Sequence, residues 1–144
     1  MNGYLMQEGE WTPGEDLFLE SLSPENKFGV VFEDDGDTAY FYALEMDQEG
    51  TGMRILDALH IDERAGDPEA DEKKDRAAAA KPNRLQIVWS HDWMKSALVI
   101  DGYCHALFDF EGQGGYNINE FPPPNKIWTQ GDRKLTDELM RRLF

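Results

Sequence analysis

The sequence predicts an α+β fold: a mostly antiparallel β meander of about five to six strands with a C-terminal amphipathic helix. Three observations lead there. Short runs between 28 and 110 alternate apolar with polar residues and end in clusters of Gly, Asp or Asn. Asp101-Gly102 separates two such runs, a pairing suited to a two-residue hairpin turn. Near the C-terminus, Leu135, Leu139, Met140 and Leu143 recur at helical spacing.

The N-terminal stretch has no clear period, so the elements start at Phe28. Phe28, Val30 and Phe32 alternate with Gly29, Val31 and Glu33, and the acidic turn Asp34-Asp35-Gly36-Asp37 closes that strand. TAYFYALEM (Thr38 to Met46) and MRILDALHI (Met53 to Ile61) follow as two more strands, broken by Gln48 to Gly52. Tyr40, Tyr42 and Leu44 share one face and Phe41 and Ala43 the other, so both sides of the sheet need a cover. The C-terminal helix is expected on one side. The N-terminal segment or a second copy of the chain is expected on the other, which leaves a homodimer as an option.

Residues 62–84 change character. Seven acids, six bases and only alanine as apolar content cannot bury a face, so this is a charged insertion between strands. Asp67-Pro68-Glu69 suits a helix start and Pro82 a stop, leaving a solvated helix or a loop as the alternatives. Leu85, Ile87, Trp89 and His91 then share one side of a strand, and Lys95 to Asp101 leads into the Asp-Gly turn. In the returning strand, alternation places Cys104, Ala106, Phe108 and Phe110 on a core face and Tyr103, His105, Leu107 and Asp109 on a semi-polar one. Gly112, Gly114 and Gly115 end it, and Phe121-Pro122-Pro123-Pro124 is stiff and extended. Asp132 is the expected N-cap of the last helix, with Arg141 and Arg142 near its negative end.

A chain of 144 residues without a dividing linker is expected to form a single domain over 1–144, with the insertion at about 62–84. Fourteen basic against twenty-nine acidic residues leave a formal charge of −15. Phosphate backbones need clustered Lys and Arg, so nucleic acid is not an expected partner, and an anionic membrane is disfavoured for the same reason. A basic protein would be attracted. With no signal-peptide pattern, no membrane-spanning run and a single cysteine, the expected compartment is the cytoplasm.

No catalytic motif is present. His60, His91 and His105 match no metal-ligand spacing, and no metal or cofactor is expected. Adjacent strand residues point to opposite faces, so Cys104 and His105 are not a thiolate pair, and apolar neighbours would raise the thiol pKa. The acidic turn lacks the ligand spacing of a calcium loop, and Gly112 to Gly115 opens no helix and precedes no lysine. The semi-polar face remains. Trp89, His91, Asp92, Tyr103, His105 and Asp109 are the candidate binding residues, although His105 and Asp109 stand about 13 Å apart along a strand and need a third group between them.

The segment order TAYFYALE, ILDALHI, a strand leading to Trp89, ALVIDGYCHALFDFEGQGGY and FPPP before Trp128 resembles the bacterial domain-of-unknown-function family 2251. The resemblance runs from about Phe28 to Trp128, and its most specific part is HALFDF through FPPP, residues 105–124. The charged excursion departs from it in length. It implies a bacterial, cytosolic protein and assigns no reaction or catalytic residue. Acidity and surplus aromatics together suggest a non-enzymatic protein-binding module of immunity or regulatory type. The competing expectation is a small-molecule-binding or hydrolytic enzyme with a pocket near Tyr103, His105 and Asp109.

Overall fold

The structure, a computed structural model, describes residues 2–24, 27–47, 52–61 and 82–144. These residues form strands β1 (Tyr4–Trp11), β2 (Leu17–Leu22), β3 (Phe28–Asp34), β4 (Ala39–Met46), β5 (Met53–His60), β6 (Asn83–Trp89), β7 (Lys95–Ile100), β8 (Tyr103–Asp109) and β9 (Gly114–Asn117), then one helix, α1 (Asp137–Leu143). The expected single meander is thereby corrected. Two antiparallel sheets are present, β1-β6-β7-β8-β9 and β2-β3-β4-β5, each containing a four-strand meander, with β1 added beside β6. Most of the charged insertion lies outside the described residues, as do Gln48 to Gly50 and Thr51. Its C-terminal limit moves, because β6 already begins at Asn83.

The two sheets share one core. Val30, Phe32, Phe41 and Leu59 from the smaller sheet pack with Leu85, Ile87, Trp89, Leu98, Ala106 and Phe108 from the larger. Phe41 stacks on Phe108 with ring centroids 5.2 Å apart, bridging the sheets. Burying each large apolar side chain contributes about 1.5–3 kcal/mol relative to leaving it in water. The two most deeply buried indole N–H groups have partners: Trp89 Nε1 donates to Ser21 Oγ at 2.9 Å and Trp11 Nε1 to Asp34 Oδ2 at 2.8 Å. Asp34, expected in a solvated turn, is therefore buried, and its other oxygen accepts from the Gly36 N–H at 2.9 Å. The Asp101-Gly102 hairpin forms as expected, with positive φ at both residues.

Alternation fails at one place in β8. Leu98 pairs with Ala106 and Val99 with Cys104, so His105 is an extra residue in the ladder, a β-bulge. Ala106, Phe108 and Phe110 stay in the main core as expected. Cys104 does not: past the bulge it turns to the side of Leu107, and these two pack with Ala97 beneath Leu135, Met140, Leu143 and Phe144. The outer face of the five-stranded sheet is thus a second small core under α1. Leu107 is fully buried there, where a semi-polar surface was expected. The helix start also differs. Thr136 is the N-cap, its hydroxyl accepting from Leu139 N, whereas Asp132 accepts from the Lys134 N–H two residues on.

Candidate functional site

The six candidate residues are distributed over several places. Trp89 lies inside the core. His91 stands in the β6–β7 turn, its ring 4.9 Å from that of Tyr4, which stacks on Trp93. Asp92 and Asp109 do converge, through Lys95. The Lys95 ammonium meets the Asp92 carboxylate at 3.0 Å, and Lys95 is the cross-strand partner of Asp109. Partial burial opposes ionisation of Asp92, but hydrogen bonds from Ser90 Oγ, Met94 N–H and Lys95 outweigh it and hold the carboxyl down to about 2. On Lys95, burial works against the charge and the contact with Asp92 more than offsets it, so its pKa is raised. Asp109 also accepts from the Glu111 and Gly112 N–H groups, which makes it a turn-forming residue. Tyr103 and His105 meet edge to face 5.8 Å apart near the other end of β8, where His105 Nδ1 contacts the Tyr103 carbonyl at 2.9 Å.

The Cys104 thiol is pushed up to about 12 by burial, so it is neither nucleophile nor ligand at ordinary pH. Among the described residues no three His, Cys, Asp or Glu side chains are grouped to hold a metal. One surface cleft of about 400 Å³ is lined by Asn2, Asp137, Met140, Arg141 and Phe144, and another of about 340 Å³ by residues around Met46 and Met53. Neither touches Tyr103, His105 or Asp109.

A different surface emerges from the register of the four-stranded sheet. Phe18 pairs with Glu33, Glu33 with Tyr40 and Tyr40 with His60, which places all four in one row across β2 to β5. The next row is Glu20, Val31, Tyr42 and Ala58. Val30, Phe32 and Phe41 fill the core, so by strand alternation both rows face outward. Leu22 and Leu44 continue the face on either side of Gly29, where an added Cβ would meet Leu22 Cδ2 at 2.5 Å. On this face Val31 and Leu44 are buried, whereas Phe18, Glu20 and Leu22 are exposed. The result is a checkerboard of aromatic and aliphatic groups with two carboxylates. Phe18 is 60% exposed, and burial, followed by the nearby Glu33 charge, raises the pKa of the Tyr42 phenol.

One rim of this face is held rigidly. His60 meets the Tyr40 ring at 5.4 Å and the half-exposed Phe121 ring at 5.8 Å, both edge to face. Asn119 Nδ2 donates to His60 Nδ1 at 2.8 Å while its Oδ1 accepts from the Phe121 N–H and from Asn117 Nδ2. Behind that rim, the 117–133 segment seals the edge of β5. Asn117 Nδ2 donates to the His60 carbonyl, Arg133 Nη1 to that of Ala58 and Asn125 Nδ2 to that of Leu56, so the edge carbonyls are satisfied without another strand. Arg133 is anchored by a buried ion pair with Asp57 at 3.1 Å, whose second oxygen accepts from Thr129 Oγ1 at 2.6 Å.

The sequence had shown Tyr40, Tyr42 and Leu44 on one face. It did not bring Phe18, Glu20, Phe121 or Asn119 to them. LFLESL at 17–22 alternates only weakly because both of its sides carry leucine or phenylalanine, and the rows depend on register.

Comparison with known proteins adds kinship without chemistry. A family model described as an uncharacterized protein conserved in bacteria matches residues 11–144. A protein of Haemophilus influenzae, likewise described as uncharacterized, is 40% identical over 105 residues, which is 72% of this chain and 58% of the relative. The chain therefore aligns with little more than half the length of that relative. No solved structure matches the chain. No helix among the described residues is long and apolar enough to cross a membrane.

Proposed function

The chain belongs to the bacterial domain-of-unknown-function family 2251, a membership that assigns no reaction, and from the geometry we propose that it is a non-catalytic module that binds a basic protein. The contact surface is the outer face of the four-stranded sheet, centred on Tyr40 and Tyr42. One observation carries this reading: Phe18, Tyr40 and Tyr42 share two outward rows of the four-stranded sheet with the carboxylates of Glu33 and Glu20. Those rows combine aromatic anchors with carboxylates that are unpaired among the described residues. Lys27 and Arg54, at the far end of the sheet, both pair with Glu45 instead. A contiguous apolar patch edged by polar groups marks an interaction site, and Tyr and Phe bring large contact area at low entropic cost.

Charge selects the partner. At −15 the chain repels its own copies and draws in cationic surfaces, with salt screening both effects over about 8–10 Å. This favours a basic partner over the homodimer. The test is amide and side-chain NMR mapping on the full chain, titrated with a short lysine- and arginine-rich peptide at low and high salt. Shifts are expected at Phe18, Glu33, Tyr40, Tyr42 and Phe121, weakened by salt. Shifts centred on Tyr103, His105 and Asp109, or none at all, would overturn the reading.

A further inference from the structure

Resting on that reading, we infer that the face takes an extended segment with two arginines spaced one residue apart, each guanidinium seated against a tyrosine and a carboxylate. The argument is geometric. Glu33 and Tyr40 are direct cross-strand partners, so their Cβ atoms lie about 4.5–5.5 Å apart and one cation reaches both. In the next row Glu20 and Tyr42 stand on either side of the buried Val31, two strand spacings or about 9–10 Å apart, a span that the long arginine side chain and its planar head can bridge. The two rows are two residues apart along the strands, a step of about 6.6–6.8 Å.

An extended ligand repeats its same-side side chains at that same step. A basic-x-basic segment lying along the strand direction therefore delivers one cation to each row, whereas two adjacent basic residues point to opposite sides and deliver only one. Phe18 and Leu22, both exposed beyond the carboxylates, offer apolar contact to flanking residues. The seats suit arginine better than lysine. A guanidinium is planar, stacks on a phenol ring and forks onto a carboxylate, while an ammonium is a compact and strongly hydrated point charge.

The experiment measures binding of capped five-residue peptides to the full chain by NMR titration. The probes are Val-Arg-Val-Arg-Val, its isomer Val-Arg-Arg-Val-Val, the lysine version of the first, and a version with both arginines replaced by citrulline. The alternating arginine peptide is expected to bind at least about threefold more tightly than its isomer or the lysine version, and the citrulline peptide to lose binding. Glu33→Gln and Tyr40→Leu should each weaken it by about two- to fivefold, with Tyr103→Leu unchanged. If all cationic peptides bind the face equally and neither variant matters, the paired seats are wrong while the broader reading survives. If no cationic peptide perturbs the face, both fail. The peptide comparison uses the unaltered chain, so it stands even where a variant folds poorly.

Discussion

Replacing Arg133 by methionine should be among the most damaging single changes in this protein, although Arg133 lies outside every strand and helix. Its side chain is 1% exposed and that of its partner Asp57 3%, so the pair is fully removed from water. The Asp57 carboxylate accepts from Arg133 Nη2 at 3.1 Å, Thr129 Oγ1 at 2.6 Å and the Ala58 N–H at 2.9 Å, while Arg133 Nη1 donates to the Ala58 carbonyl at 3.2 Å. Methionine fills most of the same volume but leaves a buried carboxylate without its counter-charge and orphans the Ala58 carbonyl. Breaking a buried pair this way costs about 3–5 kcal/mol. For a chain of this size that corresponds to a fall in Tm of roughly 10–20 °C. Urea unfolding of Arg133→Met, Asp57→Leu and the double variant provides the assay. The double variant should recover a large part of the loss, because it removes both buried charges together. A cost below about 1 kcal/mol for Arg133→Met would refute the view that this pair clamps the 117–133 segment to β5.

Gly115→Ala should destabilise by about 1–3 kcal/mol in urea unfolding, since its Cβ would sit 2.6 Å from Asp57 Oδ2 and 2.8 Å from Phe108 Cε1, both held in place. Cys104, with its thiol pushed up to about 12 by burial beneath α1, should resist alkylation at pH 8 in the native protein and react at once in denaturant. Asp92 has a folded-state pKa of about 2, below its unfolded value, so its contribution to stability is full above about pH 4 and lost as the pH falls from about 4 to 2. Asp92→Asn should flatten the stability profile in that window and leave the slope between pH 6 and 8 unchanged, as read by urea midpoints.

Six of the nine strands among the described residues were legible because each has one strongly patterned side and a turn residue at its end, from Phe28 through the Asp101-Gly102 hairpin to Asp109. The other three obey different rules. β1 (YLMQEGEW) is a sheet-edge strand with nearly every residue exposed until Trp11, so it carries no period-two signal. β9 is only Gly114–Asn117, and its glycines read as a turn. β2 is apolar on both sides because one side packs in the core and the other belongs to the proposed contact face. The division into two sheets was invisible for a related reason: pairing of β1 with β6 joins residues more than seventy positions apart. The bulge at His105 shows how pattern reasoning can reach a correct burial by a wrong route. Cys104 is inside, but beneath α1 and behind the sheet instead of between the sheets. The candidate site suffered most, because its rows exist only once β2 to β5 are in register. Tyr40 and Tyr42 were seen to share a side, while the carboxylates that give that side its chemistry sit on other strands.

Site-specific photo-crosslinking in bacterial cells tests the proposed contact face most directly. Phe18 and Tyr103 form a matched pair, 60% and 59% exposed, on the outer face of the four-stranded sheet and at the end of β8 respectively. A benzophenone side chain placed at 18 should capture a protein through a segment containing alternating arginines, with yield reduced in Tyr40→Leu, and the same probe at 103 should capture nothing. Capture at 103 with none at 18 would contradict the account.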